Sequence, residues 1–91
     1  GPMADGILVP PLELVVEIRS PSNTWASLVN KAMEYVTAGV TAVVLVDIDA
    51  ATVTVFRVNQ GPQVFGVGDE FTLPDVLPGF AVPVRKLFDP G

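Results

Sequence analysis

The sequence predicts a small α/β fold in which a strand–helix–strand unit is followed by an antiparallel hairpin. Residues 12–18 and 42–48 are nearly continuous apolar segments rich in β-branched residues, as in buried strands. Between them, residues 25–38 repeat apolar side chains at helical spacing. We therefore expect two parallel strands joined by a right-handed crossover, within a mixed sheet.

The first half of the chain has clear element boundaries. The apolar run at residues 12–18 predicts a central strand covered on both faces. Residues 3–11 are ambiguous, because their short apolar run stops at two prolines. The turn at residues 20–24 offers several side-chain oxygens that suit a helix N-cap. Gly39 is the expected residue just after the helix.

The second half of the chain predicts shorter elements. Residues 52–58 alternate in polarity and should pair antiparallel with the preceding strand. Brief strands are expected at residues 63–65 and 71–73, a turn at residues 77–80, and a single helical turn at residues 84–88.

The length of 91 residues predicts one domain, which we assign to residues 3–91. Gly1 and Pro2 resemble the scar of a removed tag, with Met3 as the native start. Hydrophobic residues make up 49% of the chain and charged residues 16%, which excludes a disordered protein. With a mean hydropathy of +0.52, part of the apolar surface is expected in an oligomer interface.

The composition also excludes several kinds of chemistry. The chain has no cysteine and no histidine, so disulfides, thiolate metal sites and Ser-His catalysis are excluded. A metal would have to bind carboxylates, which favours Mg²⁺, Mn²⁺ or Ca²⁺. No apolar run reaches the ~18 residues of a membrane span, so we expect no membrane association and a cytoplasmic location. The net charge of −5, with scattered basic residues, argues against strong nucleic-acid binding by this chain alone.

Glu17 is the leading candidate for chemistry, because a carboxylate inside an apolar strand is costly without a partner. It would bind a metal, or it would form a structural ion pair with Arg19 or Lys31. Lys31 lies at the margin of the apolar helix face and would reach Glu17 to stabilise negative charge on a phosphate. The alternative is a lysine with a buried stem and a solvated head group. Arg19, on the same strand face as Glu17, would neutralise it, contact a phosphate or be an ordinary surface residue.

Other acidic residues are weaker candidates. Glu13 lies on the same strand face as Glu17 but roughly 13 Å away, too far to share a metal. Asp47 and Asp49 lie at the end of the second predicted strand, where ligands often bind in α/β sheets. A role in the turn explains Asp49 more simply.

The combined pattern resembles a known family. The segments LELVVEIRSPS, Lys31, EYVTAGV, AVVLVDIDAATVTVFRV and LPGFAVPVRKLF occur in the order and spacing of the C-terminal half of the Uma-two family. These bacterial proteins are described as restriction endonucleases and are similar in fold to PD-(D/E)XK nucleases. The resemblance therefore implies a reduced PD-(D/E)XK (restriction-endonuclease-like) core, here truncated. It also implies a metal-dependent site that cleaves nucleic-acid phosphodiesters.

The resemblance also assigns roles to individual residues. Glu17 matches the metal-binding carboxylate of the (D/E)XK element, and Arg19 stands where its lysine would be. Lys31 matches a helix lysine that can substitute for that lysine, and Tyr35 matches a tyrosine one helical turn later. Ser27 replaces an aspartate that the family usually carries.

The half of the family that carries the aspartate of the PD element has no clear counterpart here. Asp5 is the candidate second metal ligand, and another subunit is the other source. Three hypotheses follow: a nuclease using Mg²⁺ or Mn²⁺, with Glu17, Lys31 and Arg19 in its site; a catalytically degenerate domain that works by protein association; or a shortened protein that pairs with itself or with a second half. A homodimer built by strand addition or by segment exchange is expected if the missing strands leave an open sheet edge.

Overall fold

The computed structural model describes residues 13–89, which form two sheets and two helices. The elements in chain order are β1 (Leu14–Ile18), α1 (Trp25–Thr37), β2 (Ala42–Asp47), β3 (Thr52–Phe56), β4 (Gln63–Phe65), β5 (Glu70–Leu73), β6 (Leu77–Pro83) and α2 (Val84–Leu87). Within this part of the chain, no helix has the length and apolar character needed to cross a membrane.

The main sheet is mixed, as predicted, with the strand order β1-β2-β3-β4. β1 and β2 are parallel, and Glu17 lies opposite Leu45. β2 with β3, and β3 with β4, are antiparallel. β5 and β6 form a separate antiparallel pair. The strand–helix–strand unit and the hairpin after it are therefore confirmed.

The two faces of the main sheet are covered by different elements. α1 packs on one face, where its buried Leu28, Ala32 and Val36 meet Val43 and Leu45 of β2. The second sheet and α2 cover the other face, where residues of β2 and β3 form a second core with Phe65, Phe71, Leu73 and Val84. β2 is the fully covered strand, because its residues 42–45 are at most 1% exposed.

The ends of α1 follow from local chemistry. The Thr24 side chain accepts a hydrogen bond from the Ser27 amide, which satisfies one free donor of the first turn. At the other end, Gly39 has a φ of +109°, as predicted for the residue that ends the helix. The Gly39 amide donates to Val36 and the Val40 amide to Tyr35, which is a Schellman motif.

Two predictions of the sequence are wrong. β1 is an edge strand within residues 13–89, not a central one: Val16 and Ile18 are 53% and 59% exposed. An apolar run in the sequence does not distinguish a strand that is covered on both faces from a strand that is covered on one face only. Residues 77–80 are not a turn but begin β6, because the turn occurs earlier, at residues 74–76. Gly79, with a φ of +84°, lies where the β5–β6 register shifts, so its glycine signal marks an irregularity within a strand.

The ambiguous segment, residues 3–11, lies outside the described residues, and so does Asp5.

Candidate functional site

The candidate site lies on the face of β1 that carries α1. Val15 packs against the core under α1, and the strand alternation places Glu17 and Arg19 on the same face. The register agrees, since Leu45, which lies opposite Glu17, belongs to that core. The predicted shared face of Glu17 and Arg19 is therefore confirmed.

Glu17 and Lys31 form an ion pair across this face. Lys31 Nζ lies 3.3 Å from Glu17 Oε2, so the predicted reach of the helix lysine is confirmed. The Glu17 side chain is 26% exposed and that of Lys31 49% exposed. The pair is thus open to water on one side, and a ligand could approach the carboxylate without the core being opened.

The turn between β1 and α1 fixes the position of Lys31 over the strand. Asn23 Oδ1 accepts hydrogen bonds from the amide and the hydroxyl of Ser20, at 3.1 and 2.8 Å. The Asn23 amide donates in return to the Ser20 carbonyl. These short-range bonds set the direction in which α1 leaves β1, and so determine where Lys31 lies.

Arg19 has a different partner from Glu17. Arg19 Nη1 donates to Asp47 Oδ2 at 2.9 Å, across the parallel β1–β2 pair. The Asp47 side chain is only 8% exposed, so the carboxylate of this ion pair is less accessible to water than that of Glu17. The option that Arg19 neutralises Glu17 is wrong, because Lys31 does so and Arg19 completes a cross-strand pair.

Asp47 also holds the turn after β2. Its Oδ1 accepts a hydrogen bond from the Ala50 amide at 3.1 Å. That bond, followed by the Arg19 guanidinium, holds the pKa of Asp47 below its ordinary value, although burial opposes the shift. The turn role expected of Asp49 therefore belongs to Asp47. The alternation of side-chain direction along β2 could have indicated this position, because it places Asp47 on the same sheet face as Leu45.

The remaining candidates occupy ordinary positions. Tyr35 is half-buried against the core under α1, and Glu13 is exposed. Ser27, in the place of the family's aspartate, donates its hydroxyl to the Thr24 carbonyl and so supports the helix start. Within residues 13–89, no three carboxylates come together in a way that could hold a metal ion. Glu17 therefore belongs to no such cluster among these residues, and its ion-pair partner is Lys31.

Comparison with known proteins identifies the family. Residues 4–85 match the family model Uma2, described as "Putative restriction endonuclease". The chain belongs to the Uma2 family. The match covers both the site residues of β1 and α1 and the second sheet, so the resemblance predicted from the sequence is confirmed. No curated protein matches the chain.

A solved structure shows the same fold. It is a crystal structure of a "putative nuclease belonging to DUF820" from Anabaena variabilis, with a TM-score of 0.79 and 24% sequence identity. The alignment covers 93% of this chain and 48% of that one, so the chain spans about half the length of the structure it matches. This match confirms the mixed α/β fold of the restriction-endonuclease-like kind.

Proposed function

We propose that this chain carries part of the active site of a metal-dependent nuclease that hydrolyses nucleic-acid phosphodiester bonds. The observation that supports the proposal is the Glu17–Lys31 pair, 3.3 Å apart and open to solvent at the start of the βαβ unit. Membership of the Uma2 family supports a nuclease over other hydrolases that use a carboxylate and a lysine.

The donor chemistry of Glu17 is compatible with Mg²⁺ or Mn²⁺. Magnesium sites commonly contain one or two carboxylates, with water and substrate phosphate completing the octahedron. Glu17 would supply one carboxylate, and a second would come from Asp5 or from another subunit. Such a metal lowers the pKa of a bound water and polarises the phosphoryl oxygen.

Lys31 would contact the substrate once Glu17 binds the metal ion. Its side chain is about half exposed, so its ammonium group can turn from Glu17 to a phosphate without losing a buried contact. There it would stabilise the negative charge that develops on the phosphate in the transition state. Arg19 is held by Asp47 and would contribute a positive field rather than a direct contact.

The experiment is a calorimetric titration of the full chain with Mg²⁺ and with Mn²⁺, beside the Glu17→Gln variant. Binding is expected for the unchanged chain and should be lost with Glu17→Gln. The matched control is Glu34→Gln, which removes an exposed carboxylate from α1 and should leave binding unchanged. Cleavage of plasmid DNA and of RNA would then be measured for the same three proteins.

Equal metal binding by the Glu17→Gln protein would contradict the proposal. Complete absence of binding would favour a second candidate function, a catalytically degenerate domain that works through protein association. The observation that favours this candidate is the exposed apolar surface of β1, where Val16 and Ile18 are more than half exposed.

A further inference from the structure

The outer edge of β1 is not paired with any other strand of residues 13–89. The Ala42 amide donates to the Glu13 carbonyl, and the Arg19 amide donates to Val46, so the odd-numbered residues of β1 face β2. Backbone groups alternate in direction along a strand, and those of Leu14, Val16 and Ile18 therefore point outwards.

The side chains of β1 on the sheet face opposite α1 are apolar. Val16 and Ile18 lie on the sheet face opposite α1 and are 53% and 59% exposed. Ile48, which follows β2, is 59% exposed as well. Native proteins usually protect an edge strand with charges, prolines or bulges, and residues 14–18 contain one charge and none of the other devices. An edge of this kind favours pairing with another strand.

We propose that β1 pairs antiparallel with β1 of a second copy of this chain, around a two-fold axis at Val16. The two four-stranded sheets would then form one continuous eight-stranded sheet. Both α1 helices would lie on the same face, because a two-fold axis perpendicular to the sheet preserves the faces. α1 packs over β2 and β3 and also contacts Val15 of β1.

The charges in and beside β1 favour one register of this pairing. With Val16 opposite itself, Glu13 of each copy lies opposite Arg19 of the other, so the positive charge of Arg19, whose guanidinium binds Asp47, faces an opposite charge at both ends of the strand pair. Shifting the axis to Glu17 would place two Glu17 carboxylates directly opposite each other. Shifting it to Val15 would place Glu13 opposite Glu17. The register centred on Val16 pairs opposite charges and also pairs all five residues of β1. A register centred on Ile18 would place Glu17 opposite Arg19, but it would pair only residue 18 of β1 with β1 of the other copy.

The proposed dimer would bring the two candidate sites together. The Glu17 Cα atoms would lie about 8 Å apart on the α1 face, given strand spacings of ~4.8 Å and ~3.3 Å per residue. The second copy would then provide the second carboxylate, a consequence that rests on the proposed function. The tests below measure association alone, so they can fail independently of metal binding.

The first test is the mass of the full chain in solution by light scattering. We expect twice the chain mass of 9.6 kDa. Val16→Pro removes an outward amide without removing a β1–β2 hydrogen bond and should give a monomer. Val16→Thr keeps that amide and the β-branched shape and should remain a dimer. Circular dichroism would establish that both variants are folded.

The second test fixes the register. The chain has no cysteine, so Val16→Cys introduces its only thiol. The proposed axis places residue 16 about 5.5 Å from its copy, within disulfide range, and rapid oxidation to a covalent dimer is expected. Ile18→Cys is the matched control: its two copies would lie about 13 Å apart along the strands, and it should cross-link at least tenfold more slowly.

A third variant tests the charge pairs. Glu13→Arg would place two arginines opposite each other and should raise the dimer dissociation constant about tenfold at low salt, with a smaller effect at high salt. A monomeric mass for the unchanged chain would overturn the proposal. So would a dimer that survives Val16→Pro, or equal cross-linking rates at residues 16 and 18.

Discussion

At the scale of single residues, the two ion pairs of β1 differ in how much water surrounds them. The Arg19–Asp47 pair has a nearly buried carboxylate that accepts two hydrogen bonds, whereas both partners of the Glu17–Lys31 pair are partly exposed. A buried pair that loses one partner leaves an uncompensated group, but an exposed pair contributes little. We therefore expect Arg19–Asp47 to contribute more to stability than Glu17–Lys31, which leaves the second pair compatible with the proposed role in a site.

Asp47→Asn should lower the free energy of unfolding by about 1–3 kcal/mol, because it weakens a charged hydrogen bond inside the sheet. Urea denaturation at pH 7 measures this. Asp49→Asn is the matched control, since Asp49 is exposed in the same turn, and it should change stability by less than about 0.5 kcal/mol. Equal effects of the two substitutions would contradict the role of Asp47.

The contribution of Asp47 should depend on pH. Its pKa in the folded protein lies below the ordinary value of 3.8, so folding favours the ionised form. The stabilisation is therefore present above pH ~4 and is lost as the pH falls through the folded pKa. We expect the difference in unfolding free energy between the unchanged chain and Asp47→Asn to shrink below pH ~4. A difference that stays constant down to pH ~2 would disagree with this.

Lys31→Met should change the free energy of unfolding by less than about 1 kcal/mol, because it keeps the apolar stem and removes only an exposed ion pair. Thermal unfolding at pH 7 measures this. A loss of several kcal/mol would show that the pair is part of the folding core rather than a site. Glu34→Gln, on the same helix, serves as the reference substitution.

At the scale of elements, Gly39 and Gly79 both have a positive φ but occupy different kinds of structure. Gly39 ends α1 as predicted, because a C′ residue with positive φ has few alternatives to glycine. Gly79 also has a positive φ but lies within β6, where the strand pairing is irregular. A glycine in the sequence does not distinguish a turn from an irregular strand. The segment around Gly79 is a strand because it pairs with β5.

Gly39→Ala should destabilise the protein by about 1 kcal/mol, although the space around the new methyl group is open. The cause is the φ of +109°, which an L side chain rarely adopts. Gly68→Ala is the control: it also meets no atom within 4 Å, and Gly68 has no such φ. Melting temperatures of the two variants measure the difference. If both fall equally, backbone strain is not the cause.

At the scale of the whole molecule, the sequence predicts which elements pack together better than it predicts what covers a strand or which side chains meet across two strands. The order of strands and the Glu17–Lys31 contact followed from hydrophobic pattern and crossover geometry. The position of β1 at an edge of the described sheet did not, because a strand's apolar composition does not say what covers it. The Arg19–Asp47 pair was missed as well, since it depends on the exact register of two strands that lie 28 residues apart.

The link between the two sheets is a second feature that only tertiary structure reveals. Arg57, just after β3, donates from Nε and Nη2 to both carboxylate oxygens of Asp75, at 2.8 and 3.1 Å, in the turn between β5 and β6. Its Nη1 also donates to Gln63 of β4 at 3.0 Å. One guanidinium thus joins the end of the main sheet to the second sheet.

Arg57→Lys should lower the free energy of unfolding by about 1 kcal/mol, because a lysine keeps the charge but cannot form the two-pronged contact. Arg85→Lys, an exposed position in α2, is the control and should have no measurable effect. The Arg57 side chain holds the pKa of Asp75 below its ordinary value, so the loss should be seen at neutral pH and should diminish as acid protonates Asp75. Denaturant unfolding of both variants at pH 7 and pH 3 tests this, and equal losses at the two pH values would mean that Arg57 stabilises the protein through packing alone.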